Sequence, residues 1–594
     1  MSNRINKPNT DADDKLIKCF DNRTSFIMVA GAGSGKTTSL IKALAYIKDK
    51  YGNKLRGNSQ KIACITYTKV ATQEILHDVG NDGLLHVSTI HSFLWDIIKN
   101  FQADIKNWVI NHIEEKKNKI QDYQKIKEAV KLVNKFNYLS GAKYREGIIG
   151  HSDIIKMVPE LILNKNKLRR IIALKYPFFF IDESQDTDKK FIEAIKLIEK
   201  ENNKTFCLGF FGDPMQTIYT TGTGKIEKAD GWEEINKPEN FRSPTSVLKV
   251  INNIRQNGDG LQQIIGQKDK PEGNAKIFIF PRNNDRDNNI NKVRKYMAKE
   301  TNDPLWLSDN KEGDVKLLVL VHRMAATRLG FGELYSIFTD KTSVSLKDDF
   351  TEDRSWLLEP FKVFIVPLLK AKDNKQDYEV VKILNGNCPP FNKEYINKYP
   401  SKCKETLSST SKNIDYLAEL FSKPNYTVKD ALKLIHNKNL FQLDEKLTPY
   451  LEDHKLNIKE DAIITDCFNC NLSEILGYRK YMDDESVYST QHGVKGAEFD
   501  RVLTIIDDET ARFNLYSFDK YFNVKPLSQT DLKNMQNKED STIDRTRRLF
   551  YVCCSRAKKD LAVVYFTDNV ELAQDAIKEL KIFQSVITLD QLPP

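Results

Sequence analysis

Short, unbroken runs of apolar residues bounded by polar loops recur along the chain, at Phe26 to Val29, Ile62 to Ile65, Phe178 to Ile181 and Phe206 to Phe211. Continuous rather than alternating hydrophobicity over so few residues predicts strands buried on both faces, with helices between them. A second group repeats the pattern at Leu317 to Val321, Val502 to Ile506 and Leu561 to Tyr565. Strand patterns that alternate with helical ones build parallel sheets, so the economical reading is two separate α/β sheets.

Residues 93–175 and 337–485 carry Lys- and Asn-rich amphipathic stretches with a helical period. They predict two mainly helical insertions, one for each sheet. The segments 257–273 and 282–289 are rich in Gly, Asn, Asp and Lys, and predict exposed loops. No internal repeat is visible.

Composition narrows the picture. A chain of 594 residues implies roughly three to five domains rather than one core. With 40% hydrophobic and 29% charged residues, wholesale disorder is excluded. No window approaches the roughly 20 consecutive apolar residues that cross a bilayer. Met1 leads into a polar stretch with no signal-peptide core, so a cytoplasmic protein without a membrane partner is expected.

The formal charge of +9, from 91 basic and 82 acidic residues, fits either a polyanion partner or a solvated Lys-rich surface. Nine cysteines are scattered, with Cys64, Cys207 and Cys553 inside apolar runs, where reduced thiols pack as small hydrophobes. Cys467 and Cys470 form a lone CxxC without a second pair at zinc-site spacing, and read either as half a metal site or as packing.

The most specific chemistry follows the first strand. Ala30-Gly31-Ala32-Gly33-Ser34-Gly35-Lys36-Thr37-Thr38 places three glycines where a backbone must curl and point N–H groups at phosphate oxygens, at the start of a helix whose dipole favours anions. Lys36 would supply charge to the outer phosphates and the Thr37 hydroxyl would ligate Mg²⁺. Ala30 stands where the strict phosphate-loop pattern has glycine. Asp182 and Glu183 open the run Asp182-Glu183-Ser184-Gln185-Asp186 after another apolar strand, which puts two carboxylates at a strand's C-terminal edge. ATP hydrolysis needs one acid for the metal and a neighbour to orient or deprotonate water, roles that suit Asp182 and Glu183 respectively.

These runs, with Thr66-Tyr67-Thr68-Lys69 and Gly212-Asp213-Pro214-Met215-Gln216, resemble the UvrD, PcrA and Rep helicases in residue type and order. The series continues with Asn240-Phe241-Arg242-Ser243, then with residues 492–499 from His492 to Phe499, and ends with residues 548–557 from Arg548 to Ala557. The resemblance implies two RecA-like parallel-sheet domains: 1A at 1–92 and 176–236, and 2A at 237–336 and 486–594, clamping ATP between them. The helical insertions would be 1B at 93–175 and 2B at 337–485. It further implies that Gln216 senses the γ-phosphate, that Arg242 and Arg556 stabilise transition-state charge, that Phe241 stacks on adenine and that Glu498 meets the ribose. Tyr67, Thr89, His91, Tyr219 and His492 match the set that grips single-stranded DNA.

Two departures bear on that likeness. No glutamine precedes the phosphate loop to match the family's adenine-reading motif, a place that Asp13 could take. After Tyr219 the chain reads Thr220-Thr221-Gly222 in place of the family's tryptophan and arginine, a gap that Trp95 or Trp232 could fill.

The expected activity is an ATP-dependent, Mg²⁺-requiring superfamily 1 DNA helicase or translocase on single-stranded DNA or a duplex with a single-stranded tail, with the 3′ to 5′ polarity that the resemblance implies. The alternative is a DNA-sensing ATPase subunit that regulates a separate nuclease, as the compact helicase subunit of Gabija-type anti-phage systems would. The chain ends soon after its last motif without a nuclease segment, so any cleavage is expected from another protein. A transporter or signalling ATPase would leave the runs at 490–499 and 547–557 unexplained.

Overall fold

The computed structural model describes residues 4–592 apart from 116–122, 140–141, 219–221, 268, 284, 310–313, 321, 341–343, 352, 354, 392–399, 444–446, 452–459, 484, 492, 512–514 and 538. The chain packs into two compact units. The first comprises Met1–Ala275, Leu515–Asp560 and Asp575–Ser585, and the second Lys276–Asn514, Leu561–Gln574 and Val586–Pro594.

The apolar runs of the first unit form a six-stranded sheet of β1 Phe26–Ala30, β2 Ile62–Thr66, β3 Leu85–Thr89, β4 Phe178–Asp182, β5 Cys207–Gly212 and β6 Glu233–Lys237. The order is β3-β2-β4-β5-β1-β6, with every neighbouring pair parallel. β4 and β5 are buried along their whole length, which explains why they read as unbroken hydrophobic runs. Gly209 in β5 permits the tight aromatic packing beneath: a Cβ there would come within 2.3 Å of the Phe26 ring and 2.8 Å of Phe180.

The register decides where the chemistry falls. Val29 lies opposite Gly212, and Asp182 opposite Phe211, so β1, β4 and β5 end at one sheet edge. That edge is where ligands collect in parallel α/β sheets.

Helix α1, Asp11–Asn22, is started by a capping box in which Thr10 accepts from the Asp13 N–H and Asp13 accepts from the Thr10 N–H. α2, Lys36–Gly57, starts directly from the phosphate loop. The block expected at 93–175 contains α3 Ile90–Ile98, α4 Gln102–Glu115, α5 His151–Asn164 and α6 Asn166–Lys175. Their apolar faces share one core with the sheet, since Phe93, Ile105, Val109, Ile154 and Met157 cluster with Phe179, Ile181 and Phe210. This insertion is therefore an extension of the sheet's own core rather than a separately packed body.

α7, Thr245–Gln256, also belongs to the first unit, although residues 237–275 were expected with the second sheet. The second sheet has β7 Asn274–Pro281, β8 Val315–Val319, β9 Tyr488–Thr490, β10 Phe499–Ile506, β11 Ala557–Thr567 and β12 Ser585–Thr588, in the order β9-β8-β10-β11-β7-β12. β8 pairs in parallel with both β9 and β10. The block at 337–485 includes α8 Cys403–Ser422, α9 Val428–Asn437 and α10 Leu472–Met482 around an aromatic stack. There Phe350 lies 4.6 Å from both the Phe338 and Tyr478 rings, at interplanar angles of 6° and 17°. Finally α11, Thr542–Cys554, packs in the first unit and leads into β11.

The architecture is two RecA-like α/β sheets with two mainly helical insertions. Among the described residues no helix is long and apolar enough to cross a membrane. Eight of the cysteines are free and buried, and among them Cys467 and Cys470 sit inside the apolar core of the 337–485 block. Burial pushes the Cys467 thiol up to about 12.

Candidate functional site

Three segments leaving one sheet edge build the site. After β1 the phosphate loop curls through Gly33 and Gly35, at φ of +75° and +78°, a left-handed conformation that disfavours a side chain. At Gly33 a Cβ would also lie 2.6 Å from the Arg242 Cβ. The loop's outer face is held by residues from beyond β6. Asn240 Nδ2 and Gln263 Nε2 donate to the Ala32 carbonyl at 3.0 and 3.1 Å, and the Phe241 N–H donates to the Gly33 carbonyl at 2.8 Å.

At the foot of the loop, Lys36 Nζ donates to Glu183 Oε1 at 2.5 Å and lies 3.6 Å from Asp182 Oδ1. Burial acts to lower the Lys36 ammonium, but Glu183 and Asp182 outweigh it and hold the group above its ordinary range. Burial pushes the Asp182 carboxyl above the usual carboxylate range, against the pull of Lys36. Glu183 itself adopts φ +50°, a sparsely populated conformation for a side-chain-bearing residue. It turns the chain sharply out of β4 and presents the second carboxylate beside the first. Gln185 Nε2 fixes the other Glu183 oxygen at 2.5 Å.

After β5, Asp213 is fully buried and accepts from Gln216 Nε2 at 2.9 Å. Arg556, at the end of α11, places Nη2 3.4 Å from Gln216 Oε1, and its Nε donates to the Val552 carbonyl at 2.9 Å. Burial, with Arg242 nearby, lowers the Arg556 guanidinium to about 9. Arg242 is itself anchored, its Nη1 donating to the Ser555 carbonyl at 3.1 Å.

The structure thus brings Lys36, Asp182, Glu183, Gln216, Arg242 and Arg556 together within the first unit. Thr37 and Thr38 are half-buried in the first turn of α2. Phe241 is 37% exposed beside the loop, with ring atoms 3.8 Å from where a Gly35 Cβ would stand. Glu498 is exposed in the second unit, just before β10. Of the expected nucleic-acid residues, Tyr67 is 44% exposed after β2, Thr89 stands just before α3 without a side-chain capping bond and its hydroxyl donates to Ser92 Oγ at 3.1 Å, and His91 lies half-buried 4.9 Å from the His151 ring. Tyr219 and His492 fall outside the described residues. Trp232 is buried against Phe210, while Trp95 is half-buried beside Tyr138. Of the two candidate replacement platforms only Trp95 has exposed surface.

Asp13 is committed to the frame. Its carboxylate accepts from Ser39 Oγ at 2.5 Å, Lys42 Nζ at 2.9 Å and the Thr10 N–H at 3.0 Å. Burial works to raise the carboxyl, and these donors hold it below the usual carboxylate range.

The donor set fits a nucleotide polyphosphate with a divalent cation. The loop offers N–H groups and a buried ammonium, Ser34 Oγ is buried with no hydrogen-bond partner, the Thr37 hydroxyl lies in the first turn of α2, and two carboxylates lie at the end of β4. Sequence reasoning assigned no role to Asp213, Arg255, Gln263 or Tyr551, although the structure gathers them against the loop. Asp213 and Tyr551 stood inside recognisable runs. Arg255 and Gln263 carried no local signal, and Gln263 lay in a stretch expected to be loop.

A family model for an AAA domain matches residues 15–222. The chain is 27% identical to the Gabija protein GajB of Bacillus cereus (strain HuB5-5), covering 95% of this chain and 96% of that protein. It is 22% identical to the ATP-dependent DNA helicase Rep of Buchnera aphidicola subsp. Acyrthosiphon pisum, covering 92% and 93%. Over 40% of its length it is 23% identical to DNA helicase II of Salmonella typhimurium.

Proposed function

We infer that this chain, a UvrD-like superfamily 1 helicase, is an ATP-driven motor that moves 3′ to 5′ along single-stranded DNA. The observation that carries the reading is the convergence of Lys36, Asp182, Glu183, Gln216, Arg242 and Arg556 at one sheet edge. That is the equipment of phosphoryl transfer to water: a cradle, a metal-side acid, a water-side acid and cations for the developing charge.

The loop from Ala30 to Thr38 cradles the phosphates, with Lys36 on the outer ones. Thr37 and Asp182 would hold Mg²⁺, which would supply neutralising charge to the phosphates. Glu183 orients and deprotonates the attacking water, Gln216 senses the terminal phosphate, and Arg242 and Arg556 stabilise the transition state. Phe241 stacks on the base and Glu498 meets the ribose. Tyr67, Thr89, His91, Tyr219 and His492 contact DNA, with Tyr67 stacking on a base. Domains 1A, 1B, 2A and 2B keep the ranges of the motif series as functional divisions, with 237–275 and 515–560 of 2A packed in the first unit, and the protein works in the cytoplasm.

The test is DNA-stimulated ATP hydrolysis and strand displacement on tailed duplexes of both polarities. Lys36→Ala should abolish both activities; undiminished hydrolysis in that variant would sink the reading, and preference for a 5′ tail would reverse the polarity.

A second reading, a DNA-sensing ATPase that licenses a separate nuclease without processive unwinding, draws support from the near full-length likeness to the Gabija protein GajB. A neighbouring nuclease gene, and hydrolysis without displacement until that protein is added, would favour it.

A further inference from the structure

The phosphate loop is tied to Gln216 and to the helix that carries Arg556 by a buried polar relay that the roles above do not use. Tyr551 lies on α11 with 0% exposure, and its hydroxyl oxygen accepts from the Ala32 N–H at 2.9 Å and from Arg255 Nη1 at 2.7 Å. The same hydroxyl donates to Asp213 Oδ2 at 3.1 Å. One proton given and two received uses the full capacity of a phenol. Asp213 Oδ2 also accepts from Gln216 Nε2 at 2.9 Å and Arg255 Nη1 at 3.2 Å, while Arg255 Nη2 lies 3.1 Å from Asp213 Oδ1. Arg556 follows five residues after Tyr551 and reaches Gln216 at 3.4 Å.

The charges are consistent with a permanent link. Arg255 is fully buried; burial works to lower its guanidinium, and Asp213, the Tyr551 hydroxyl and Asp259 outweigh that and raise it. A buried cation, a buried carboxylate and a phenol between them satisfy one another and exclude water, so each fixes the others' positions. The circuit runs from the Ala32 backbone through Tyr551 and Asp213 to Gln216, and along α11 to Arg556.

We propose that Tyr551, held by Arg255 and Asp213, is a positioning residue that sets the phosphate loop in register with Gln216 and Arg556, so that nucleotide binding at the loop and charge stabilisation by the arginine act as one step. Resting on the hydrolytic reading above, this assigns the relay an effect on turnover rather than on nucleotide affinity. Tyr551 touches no reacting atom. Loss of its hydroxyl breaks the direct link from the Ala32 N–H to Asp213 while leaving Lys36 and the loop's glycines in place.

The experiment uses the full chain, with single-stranded DNA at saturation. It compares hydrolysis rates, affinity for a fluorescent ATP analogue and thermal unfolding for the wild type, Tyr551→Phe, Arg556→Ala and the double variant. Tyr551→Phe is expected to lower kcat by about 10-fold or more, as misplacement of a charge-stabilising group does. Analogue affinity should stay within about threefold. The double variant should be no slower than Arg556→Ala by more than about twofold, because both changes act through one step. If Tyr551→Phe does not fold, Arg255→Lys keeps a cation beside Asp213 but cannot reach Asp213 and Tyr551 together, and the same split between kcat and affinity is expected.

Tyr551→Phe turning over at the wild-type rate, a matched loss of affinity and kcat, or full additivity with Arg556→Ala would each overturn the proposal. A wild-type protein with no DNA-stimulated hydrolysis would overturn the ATPase reading and this proposal with it. An active wild type with an indifferent Tyr551→Phe overturns the relay alone.

Discussion

Lys36 and Glu183, 147 residues apart in sequence, meet at 2.5 Å, the ammonium of the phosphate loop donating to the carboxylate at the end of β4. The cation intended for phosphate and the acid intended for water are therefore neighbours. Replacing Glu183 with Gln keeps the shape and a hydrogen-bonding oxygen but removes the charge and the base. Hydrolysis should fall by about 10² to 10⁴, the usual contribution of a general base. Nucleotide affinity should hold or improve, because Lys36 is released from a competing anion. Parallel measurement of single-turnover hydrolysis and equilibrium analogue binding separates the two effects.

Gly33 is a position where two constraints coincide: φ +75°, and a prospective Cβ 2.6 Å from the Arg242 Cβ. Gly33→Ala should cost about 1–2 kcal/mol for the left-handed backbone alone, and the collision should displace Arg242 as well. The expected result is a lower melting temperature together with weaker nucleotide binding. Calorimetry with and without nucleotide reports both, and an alanine variant that binds and melts like the wild type would contradict the loop geometry.

His91 should make stability sensitive to mild acid. Burial, with His151 beside it, holds its imidazole down at about 4, against about 6.5 in an unfolded chain. Between those values the unfolded chain binds a proton that the folded one refuses. The stabilisation is therefore complete above pH 6.5 and is lost as pH falls toward 4. Melting curves from pH 7.5 down to 5 should drop more steeply for the wild type than for His91→Gln. The same neutral state means that any His91 contact to DNA at pH 7 is a hydrogen bond or a stack, not an ion pair.

Tyr67 and Trp232 should separate binding from stability. Tyr67 is 44% exposed, and Tyr67→Ala should weaken single-stranded DNA binding by about 1–3 kcal/mol, one stacked base, while leaving the salt dependence unchanged because no phosphate contact is lost. Trp232 is 4% exposed and packed 5.7 Å from the Phe210 ring centroid. Trp232→Ala should cost about 3–5 kcal/mol of stability, with the folded fraction binding DNA normally. Fluorescence anisotropy at two salt concentrations, beside chemical unfolding, distinguishes the two variants.

Much of the molecule was legible in the sequence because its decisive patterns are local. Unbroken short apolar runs such as Phe178 to Ile181, bounded by polar residues, suit strands buried on both faces, and glycines at 31, 33 and 35 directly before Lys36 suit little besides an anion-binding turn. From those runs come the two sheets, the two helical insertions, the phosphate loop and the acidic pair at the end of β4.

Tertiary structure alone decided how distant residues share a single charge environment. Tyr551, Arg255, Gln263 and Asp213 become partners only because α7 and α11 pack against the loop in the first unit, and no periodicity records a hydrogen bond between residues 519 apart. Nor could spacing tell the half-buried Trp95 from the buried Trp232, or show that three donors already occupy the Asp13 carboxylate. Burial and pairing depend on what the folded chain brings to a side chain from elsewhere, and composition around that side chain carries no trace of it.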